Sequence, residues 1–514
     1  MKKTLACIRA LALLLVLATP VFAAGPPGAA MAKPESKGLP VPAETRAVTQ
    51  GSVSINGQSI KYTTTAGTLL LYNEKHEPIG SMFYVAYTKD GANANQRPVT
   101  FLYNGGPGSS SVWLHMGSFG PVRVVVSDAQ ATPPAPYQIV PNQYSLLDKS
   151  DLVFVDAMGT GYSRLAGQGQ GKDFWGVDPD IAAFGQFIQR YITEYNRWNS
   201  PKYLLGESYG TTRSAGLADW LQNNGVALTG VTLQSTILNY GDTMPGTNLG
   251  YVTDLPSFAA IAWYHNKLPN KPADLASFLD QVRAFARGEY ADALFQGSSL
   301  PANEYQDVLA KLQQYTGLSA RFLKNADLKV SATQFRAELL RDQGLTLGRY
   351  DARYEGINSD NAQAFPEYDP SDTGIGPAYT SAWNWYVKNT LKYKTDLSYR
   401  ITAYGDFQWD MHHQMPGFFS FGRGSPLPDV AADLGDAMRK NPHLQVFSAN
   451  GYYDLATPFF KTEYDLQELD LPANIYQNIH YHYYPSGHML YLHVPTLKAY
   501  KDDLAKFYDS TSKQ

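Results

Sequence analysis

The sequence contains a single cysteine, and that residue, Cys7, lies close to the start of a chain of 514 residues. It also lacks any Asn-x-Ser/Thr acceptor site for N-linked glycans. A disulfide-rich scaffold is therefore excluded, and a chain of this length can be stabilised by a large core instead. Secreted eukaryotic proteins of this size usually carry cystines and glycans, so both absences favour a bacterial protein.

Charge of one sign is not concentrated in any part of the sequence. The net charge is −4 at pH 7, from 42 basic and 46 acidic residues, and there is no basic block. Proteins that bind nucleic acids or anionic membranes usually carry clustered Lys and Arg. We therefore expect neither a nucleic acid nor a membrane as a partner, and the oligomeric state stays open.

The sequence contains no apolar run long enough to span a membrane, and its most notable apolar run is a short one near the N-terminus. Basic residues precede the apolar residues 10–18, and small residues follow as far as Ala24. This pattern is typical of a secretory signal peptide over residues 1–23, cleaved near Ala23, and the run is shorter than the roughly 20 residues that span a bilayer. Residues 24–47 are rich in Pro, Ala and Gly and predict a disordered leader. Together these features predict a periplasmic or secreted bacterial protein.

Apolar runs of strand length alternate with segments of helical periodicity through much of the chain. The pattern predicts an α/β fold with a mostly parallel sheet flanked by helices. Three earlier runs, 52–64, 68–72 and 81–88, alternate as antiparallel edge strands do. The buried strands are predicted at 97–103, 151–156, 202–205, 231–238, 444–449 and 479–484, and the helices between or after them at 178–195, 211–223 and 494–508.

Residues 245–400 interrupt this alternation. Their apolar residues recur at helical spacing and few strand signals occur, which predicts a largely helical insertion. The insertion would divide the α/β core into a first part, 48–244, and a second part, 401–514. A helical segment in that place would form a lid over the active site. The helices of the insertion are predicted at 255–267, 274–290, 304–316 and 332–345.

Residues 206–210 read Gly-Glu-Ser-Tyr-Gly and lie between a predicted strand and a predicted helix. A G-x-S-x-G sequence in that context is a nucleophile elbow, a tight turn that exposes the serine hydroxyl above the sheet. The glycines are needed because the turn leaves no room for side chains at those two positions. Ser208 is therefore the candidate nucleophile.

A serine needs a base to take its proton, and the base needs a carboxylate to orient it. In the α/β-hydrolase fold the three follow in the order Ser, acid, His. Asp454 follows the predicted strand 444–449, and His488 follows the last predicted strand, 479–484. Both lie in loops next to glycine. We therefore predict Ser208, Asp454 and His488 as a catalytic triad.

Other histidines and aspartates are weaker candidates. His412 and His413 are adjacent and do not readily point the same way, so we expect no metal site there, and we expect no cofactor. The remaining candidates are interpreted as structural or solvated side chains: His480, His482, His493, Asp465 and Asp470.

An oxyanion hole needs two main-chain donors. In this fold, one is the amide after the nucleophile, here Tyr209, and the other comes from a loop after an earlier strand. The loop 104–108 reads Asn-Gly-Gly-Pro-Gly, and we predict the amide of Gly106 as the second donor. A plain tight turn is the alternative interpretation of the same glycines.

Five segments in order give the chain a specific resemblance. Residues 104–110 (NGGPGSS), 155–163 (VDAMGTGYS) and 206–210 (GESYG), followed by the segments around Asp454 and 487–489, resemble the serine carboxypeptidase family, peptidase family S10. The resemblance implies an α/β hydrolase that releases C-terminal residues from peptides through an acyl-enzyme. Its partners would then be peptides with a free C-terminus.

The resemblance also implies roles for Asn104 and Glu207, which would bind the terminal carboxylate of the substrate. Two carboxyl groups share a hydrogen bond only if one is protonated, so Glu207 is expected to have a raised pKa when substrate binds, and activity should favour acidic pH. The chain departs from the family at Leu102 and Ser109, where Trp and Cys are frequent, and at Arg213, which could add a charge near the site. An esterase or acyltransferase on the same scaffold, or a non-catalytic periplasmic binding protein, remain alternatives.

Overall fold

A mixed sheet passes through the centre of the protein. The computed structural model describes residues 38–244, 246–417 and 424–512. The strands are β1 (Arg46–Ile55), β2 (Gln58–Tyr72), β3 (Pro78–Lys89), β4 (Val99–Tyr103), β5 (Val122–Val124), β6 (Ile139–Pro141), β7 (Asp151–Val155), β8 (Arg164–Leu165), β9 (Lys202–Glu207), β10 (Gly230–Gln234), β11 (Thr346–Leu347), β12 (Glu355–Gly356), β13 (Gln445–Gly451) and β14 (Ile479–Tyr484).

Helices cover both faces of the sheet and fill the insertion. They are α1 (Val112–Leu114), α2 (Val177–Glu194), α3 (Tyr209–Asn223), α4 (Leu249–Tyr264), α5 (Leu275–Phe285), α6 (Ala291–Gln296), α7 (Ala302–Thr316), α8 (Ala320–Asn325), α9 (Ala332–Glu338), α10 (Pro370–Thr373), α11 (Gly376–Asn389), α12 (Ala431–Lys440), α13 (Phe459–Gln467), α14 (Ala473–Tyr476) and α15 (Val494–Thr511).

The strand order explains where the site lies. In the described residues the sheet has ten strands, nine of them in the order β1-β2-β3-β7-β4-β9-β10-β13-β14, with β8 paired to β3. In this order, β7, β4, β9, β10, β13 and β14 pair in parallel, whereas β1, β2 and β3 are antiparallel and lie at one side of the sheet. The carboxyl ends of β4, β9, β10, β13 and β14 therefore meet at one edge, where ligands of such sheets bind. The α/β-hydrolase fold predicted from the sequence is confirmed.

The buried strands supply two cores because successive side chains point to opposite faces of a sheet. In β4, Leu102 faces a core shared with α11 and α15, whereas Phe101 and Tyr103 face a core shared with α2 and α3. A third core lies in the insertion, mainly among α4 to α9.

The predicted insertion is helical only in part. The segments of α4, α5, α7 and α9 were expected, although α9 ends at Glu338, earlier than the predicted 345. The short strands β11 and β12 follow, and α11 packs into a core of the sheet rather than into the core formed by α4 to α9. Helices α12 and α13, beyond the insertion, were not predicted.

The N-terminal predictions need two corrections. The predicted strand 52–64 is a hairpin, because β1 and β2 are joined at Asn56 and Gly57, which both have positive φ. An Asn-Gly pair is a strong signal for such a turn. The predicted leader 24–47 is wrong in its last residues, since Leu39 pairs with Gly167 and β1 begins at Arg46. The signal peptide 1–23, with Cys7, lies outside the described residues.

None of the described helices is both long enough and apolar enough to cross a membrane.

Candidate active site

The turn between β9 and α3 holds Ser208 in a strained conformation. Its φ is 61° and its ψ is −130°, a region that non-glycine residues rarely adopt. A Cβ atom on Gly206 would lie 2.1 Å from the carbonyl oxygen of Gly210, so a side chain cannot be placed there. Ser208 is only partly buried, although Glu207 and Tyr209 on either side are buried. The turn therefore presents the hydroxyl to the open edge of the sheet.

His488 and Asp454 are both buried and form a hydrogen-bonded pair. His488 Nδ1 lies 2.8 Å from Asp454 Oδ2. The other carboxylate oxygen, Oδ1, accepts hydrogen bonds from the amides of Ala456 and Thr457 at 2.7 and 3.0 Å. Burial by itself would lower the pKa of His488, but the Asp454 carboxylate outweighs burial and raises that pKa above its usual value. The Nε2 side of the ring stays available for a proton from a nucleophile.

The main chain of His488 is held as firmly as its ring. Its amide donates to the carbonyl oxygen of Tyr350 at 2.6 Å, and its carbonyl oxygen accepts from Ser235 Oγ at 2.7 Å. Within the described residues no hydrogen bond joins His488 to Ser208. Such bonds are often long or misaligned before a substrate is bound.

The loop after β4 lies directly against the start of α3. A Cβ atom on Gly105 would lie 2.4 Å from the Tyr209 amide nitrogen, so glycine is required for this approach. Tyr209 is the first residue of α3, and the first amides of a helix have no partner within it. Gly106 follows with a φ of 111° and lines the same cavity as Ser208. The two predicted oxyanion donors therefore belong to adjoining main-chain segments.

Asn104, Glu207 and Gln234 form a row across three neighbouring strands. Gln234 is paired with Glu207 in the register of β10 and β9, and Asn104 follows the last pair of β4 and β9. Asn104 Nδ2 donates to Glu207 Oε1 at 2.8 Å, and Gln234 Nε2 donates to Glu207 Oε2 at 2.8 Å. Burial raises the pKa of Glu207 to about 7, against the opposing effect of the positive charge on His488. Gln234 was not predicted from the sequence.

The charge of Arg213 is compensated by a carboxylate, and its side chain hydrogen-bonds to the main chain of Asn104 in this row. Its Nε atom is paired with Asp180 Oδ2 at 2.7 Å, and its Nη1 atom donates to the carbonyl oxygen of Asn104 at 2.9 Å. Arg213 and Asp180 are both buried. The Asn104 side chain is fixed on its other side, because its Oδ1 accepts from the amide of Leu114 at 2.9 Å.

The 155–163 motif braces the same edge of the sheet. Asp156 follows β7 and accepts hydrogen bonds at Oδ1 from the amide of Ser111 at 2.9 Å and from the Tyr399 hydroxyl at 3.0 Å. These bonds tie the loop after β4 to the segment that follows α11. Burial raises the pKa of Asp156 to about 6.

A cavity of about 140 Å³ brings most of the predicted site residues together. Trp113, Tyr350 and Tyr404 form aromatic walls, and Asp372 contributes a carboxyl group. The wall with Tyr404 is held to the loop after β4 by the hydrogen bond from the Ala403 amide to the Gly108 carbonyl, at 2.7 Å. The complete lining is Asn104, Gly105, Gly106, Ser109, Trp113, Glu207, Ser208, Tyr350, Asp372, Thr402, Tyr404, His488 and Met489.

The other predicted histidines and aspartates lie elsewhere. His413 is buried between Asp178 and Asp433, at 2.6 and 2.8 Å, and these carboxylates raise its pKa to about 9 although burial lowers it. In the described part of the chain no group of His, Cys, Asp and Glu could hold a metal ion. The solvated charge predicted for Asp465 is wrong, because α13 buries it in an ion pair with Lys461.

Comparison with known proteins gives matches at two levels. The family model for serine carboxypeptidases matches residues 58–482. The pheromone-processing carboxypeptidase KEX1 of Cryptococcus gattii is 33% identical to this chain over 143 residues, and that of Saccharomyces cerevisiae is 33% identical over 135 residues. These alignments cover 27% and 25% of this chain but only 20% and 17% of those proteins, so the chain spans about a fifth of the curated relatives it matches.

Two solved structures are also similar. Proline iminopeptidase from Mycobacterium smegmatis is 14% identical, with a TM-score of 0.37, over 87% of this chain and 98% of that one. A lipase in its open form is 13% identical, with a TM-score of 0.33, over 92% of this chain and all of the other.

Proposed function

The chain belongs to the serine carboxypeptidase family, and we propose that it releases C-terminal residues from peptides. The observation that carries the proposal is the buried Asn104–Glu207 pair beside Ser208 in one cavity. A serine with a base and a carboxylate hydrolyses acyl groups in general. A buried carboxyl with a raised pKa, next to an amide, adds a site for a second carboxyl group, which is the group that ends a peptide.

In the proposed mechanism Ser208 Oγ attacks the scissile carbonyl carbon while His488 Nε2 takes the hydroxyl proton. Asp454 keeps the other ring nitrogen protonated and stabilises the imidazolium that forms. The amides of Gly106 and Tyr209 donate to the developing oxyanion. The C–N bond then breaks as His488 gives the proton to the leaving amine, and water, deprotonated by His488, hydrolyses the acyl-enzyme.

The proposed carboxylate site makes activity depend on pH. Below its pKa of about 7, Glu207 is protonated and donates a hydrogen bond to the carboxylate of the substrate. Above that pKa the two carboxylates repel each other, so binding weakens as pH rises. His488 must be neutral to act as a base, so its raised pKa should limit activity on the acid side, and activity should be highest at mildly acidic pH. Because Glu207 and His488 interact, their protons are lost in coupled steps.

We further propose that the aromatic walls of the cavity favour substrates with a large apolar side chain beside the scissile bond. Tyr350 lies in the insertion, residues 245–400, and Tyr404 follows directly after the insertion ends. The insertion would therefore shape the cavity and limit access to it, as a lid does.

The proposal is tested by Ser208→Ala with a fluorophosphonate probe. The native protein should be labelled once, at Ser208, and should shorten peptides from the C-terminus, and the variant should do neither while keeping its circular dichroism spectrum. Peptidase activity in the variant would refute the triad, and absence of labelling in the native protein would favour a binding protein.

We also propose that the protein is exported to the periplasm or the medium after cleavage near Ala23. The support is the basic, apolar and small-residue pattern of residues 1–23. N-terminal sequencing of the protein from the periplasmic fraction of a bacterial host should give a chain that begins close to Ala24. A chain that retains Met1 would contradict export by this route.

A further inference from the structure

Gln234 connects two groups that the proposed mechanism uses. It is the last residue of β10, and its Nε2 atom lies 2.8 Å from Glu207 Oε2 and 3.3 Å from the carbonyl oxygen of His488. The side chain is completely buried, and its Oε1 atom has no hydrogen-bond partner in the described part of the chain. A buried amide in this position can act on both groups at once.

The amide also decides where a proton on Glu207 can point. Asn104 Nδ2 donates to one oxygen of the Glu207 carboxyl, and Gln234 Nε2 donates to the other. Each oxygen has two acceptor sites, so a proton on either oxygen must occupy the site that no amide occupies. Since Glu207 lines the cavity, the site that neither the two amides nor the Tyr491 hydroxyl occupies is available to a bound carboxylate.

On the basis of the function proposed above, we propose that Gln234 is a positioning residue. It holds the Glu207 carboxyl so that its proton is directed into the cavity, and it ties that carboxyl to the loop of His488. Gln234 does not touch the reacting atoms, because the cavity lining includes Glu207 and His488 but not Gln234.

Other ionisable groups also face Glu207 and contribute to its titration. They are His488 and Asp454 at the ends of β14 and β13, and the phenols of Tyr379, Tyr404, Tyr491 and Tyr500. None of them is changed when Gln234 is substituted. A shift in the titration of Glu207 in a Gln234 variant therefore reports the lost hydrogen bond.

The test is Gln234→Met, which keeps the length of the side chain but removes its donor. A hydrogen bond to a carboxylate favours the ionised form, so its loss should raise the pKa of Glu207 by about one unit. Infrared titration of the protonated carboxyl band reports this pKa, and the loss of the band in Glu207→Gln identifies it. An unchanged or lowered pKa would overturn the proposal.

Two further variants keep the test decisive. Gln234→Leu also removes the donor without adding a charge, so it should raise the pKa of Glu207 as well, and it serves if Gln234→Met does not fold. Ser235→Ala removes the other hydrogen bond to the His488 carbonyl, and in the described residues Ser235 makes no hydrogen bond with Glu207, so this variant should leave the pKa unchanged. An equal shift in Ser235→Ala would assign the effect to the His488 loop and overturn the role of Gln234.

The pH dependence of peptide hydrolysis distinguishes a failure of this inference about Gln234 from a failure of the proposed function. If both hold, the alkaline limit of kcat/KM on free peptides should move upward with the infrared pKa in Gln234→Met. If the infrared pKa shifts and the alkaline limit does not, Gln234 still positions Glu207, and the proposed role of Glu207 in reading the substrate carboxylate is refuted.

Discussion

Replacing Glu207 with glutamine should remove the alkaline limit of activity on peptides with a free C-terminus. In the native protein the pKa of Glu207 is about 7, because the carboxyl is buried beside the nucleophile. If only the protonated form accepts a carboxylate, kcat/KM should fall about tenfold for each pH unit above that value. A glutamine at this position does not titrate, so this fall should be absent.

The same substitution should lower activity at acidic pH. The amide of the new glutamine can still donate a hydrogen bond to a substrate carboxylate. However, Gln234 must then turn its free Oε1 atom toward this amide, and an amide is a weaker donor than a carboxylic acid. We expect a loss of about 1.4 kcal/mol in transition-state binding, or about tenfold in kcat/KM at pH 6. The native and variant profiles should then cross near about pH 8, where about a tenth of Glu207 is still protonated.

The assay is kcat/KM from about pH 5 to about pH 9 on one peptide with a free C-terminus, a range that brackets the pKa in question. Asp372→Asn is the matched control, because Asp372 also lines the cavity but makes no hydrogen bond with Glu207 in the described residues. It should keep the alkaline limit. If Glu207→Gln retains the limit at the same pH, Glu207 is not the titrating group and the reasoning is wrong.

Three further variants probe the triad, its support and the cavity. Asp454→Asn should reduce kcat about 10⁴-fold with little change in KM, since the ring of the base is left in the wrong tautomer; a loss below tenfold would contradict the assignment. Asp180→Asn leaves the buried Arg213 without its anion and should lower the free energy of unfolding by about 3–5 kcal/mol, as measured by urea denaturation. A decrease of less than about 1 kcal/mol, which is typical of an exposed ion pair, would refute the pairing. Tyr404→Ala opens one wall of the cavity and should reduce the preference for C-terminal Phe over Ala dipeptides about tenfold in kcat/KM; an unchanged ratio would place the specificity elsewhere.

The elbow could be predicted because it is local: a strand, two glycines and a helix lie within about twenty consecutive residues. The contact between Asp454 and His488 could be predicted because each follows a strand, and parallel strands bring their ends to one edge. Gln234 could not, because its contact with Glu207 depends on the register between β10 and β9. No motif in a single segment reveals that register.

Other features that the sequence did not predict correctly, the position of Tyr404 and the burial of Asp465, have similar physical causes. Tyr404 reaches the cavity only because its segment returns from the insertion to the loop after β4, a path that local periodicity does not predict. Asp465 was predicted to be solvated because it lies in a polar stretch. In the structure α13 turns it inward, where Lys461 one helical turn earlier compensates its charge.

The most direct test of carboxypeptidase activity compares two peptides of one sequence, one with a free C-terminus and one amidated, with products identified by mass. We expect the free peptide to lose single residues from its C-terminus at about pH 6, below the pKa of about 7 of Glu207, and the amidated peptide to be cleaved much more slowly. Equal cleavage of both peptides would contradict recognition of the terminal carboxylate and would indicate an esterase-like or acyl-transferring hydrolase instead.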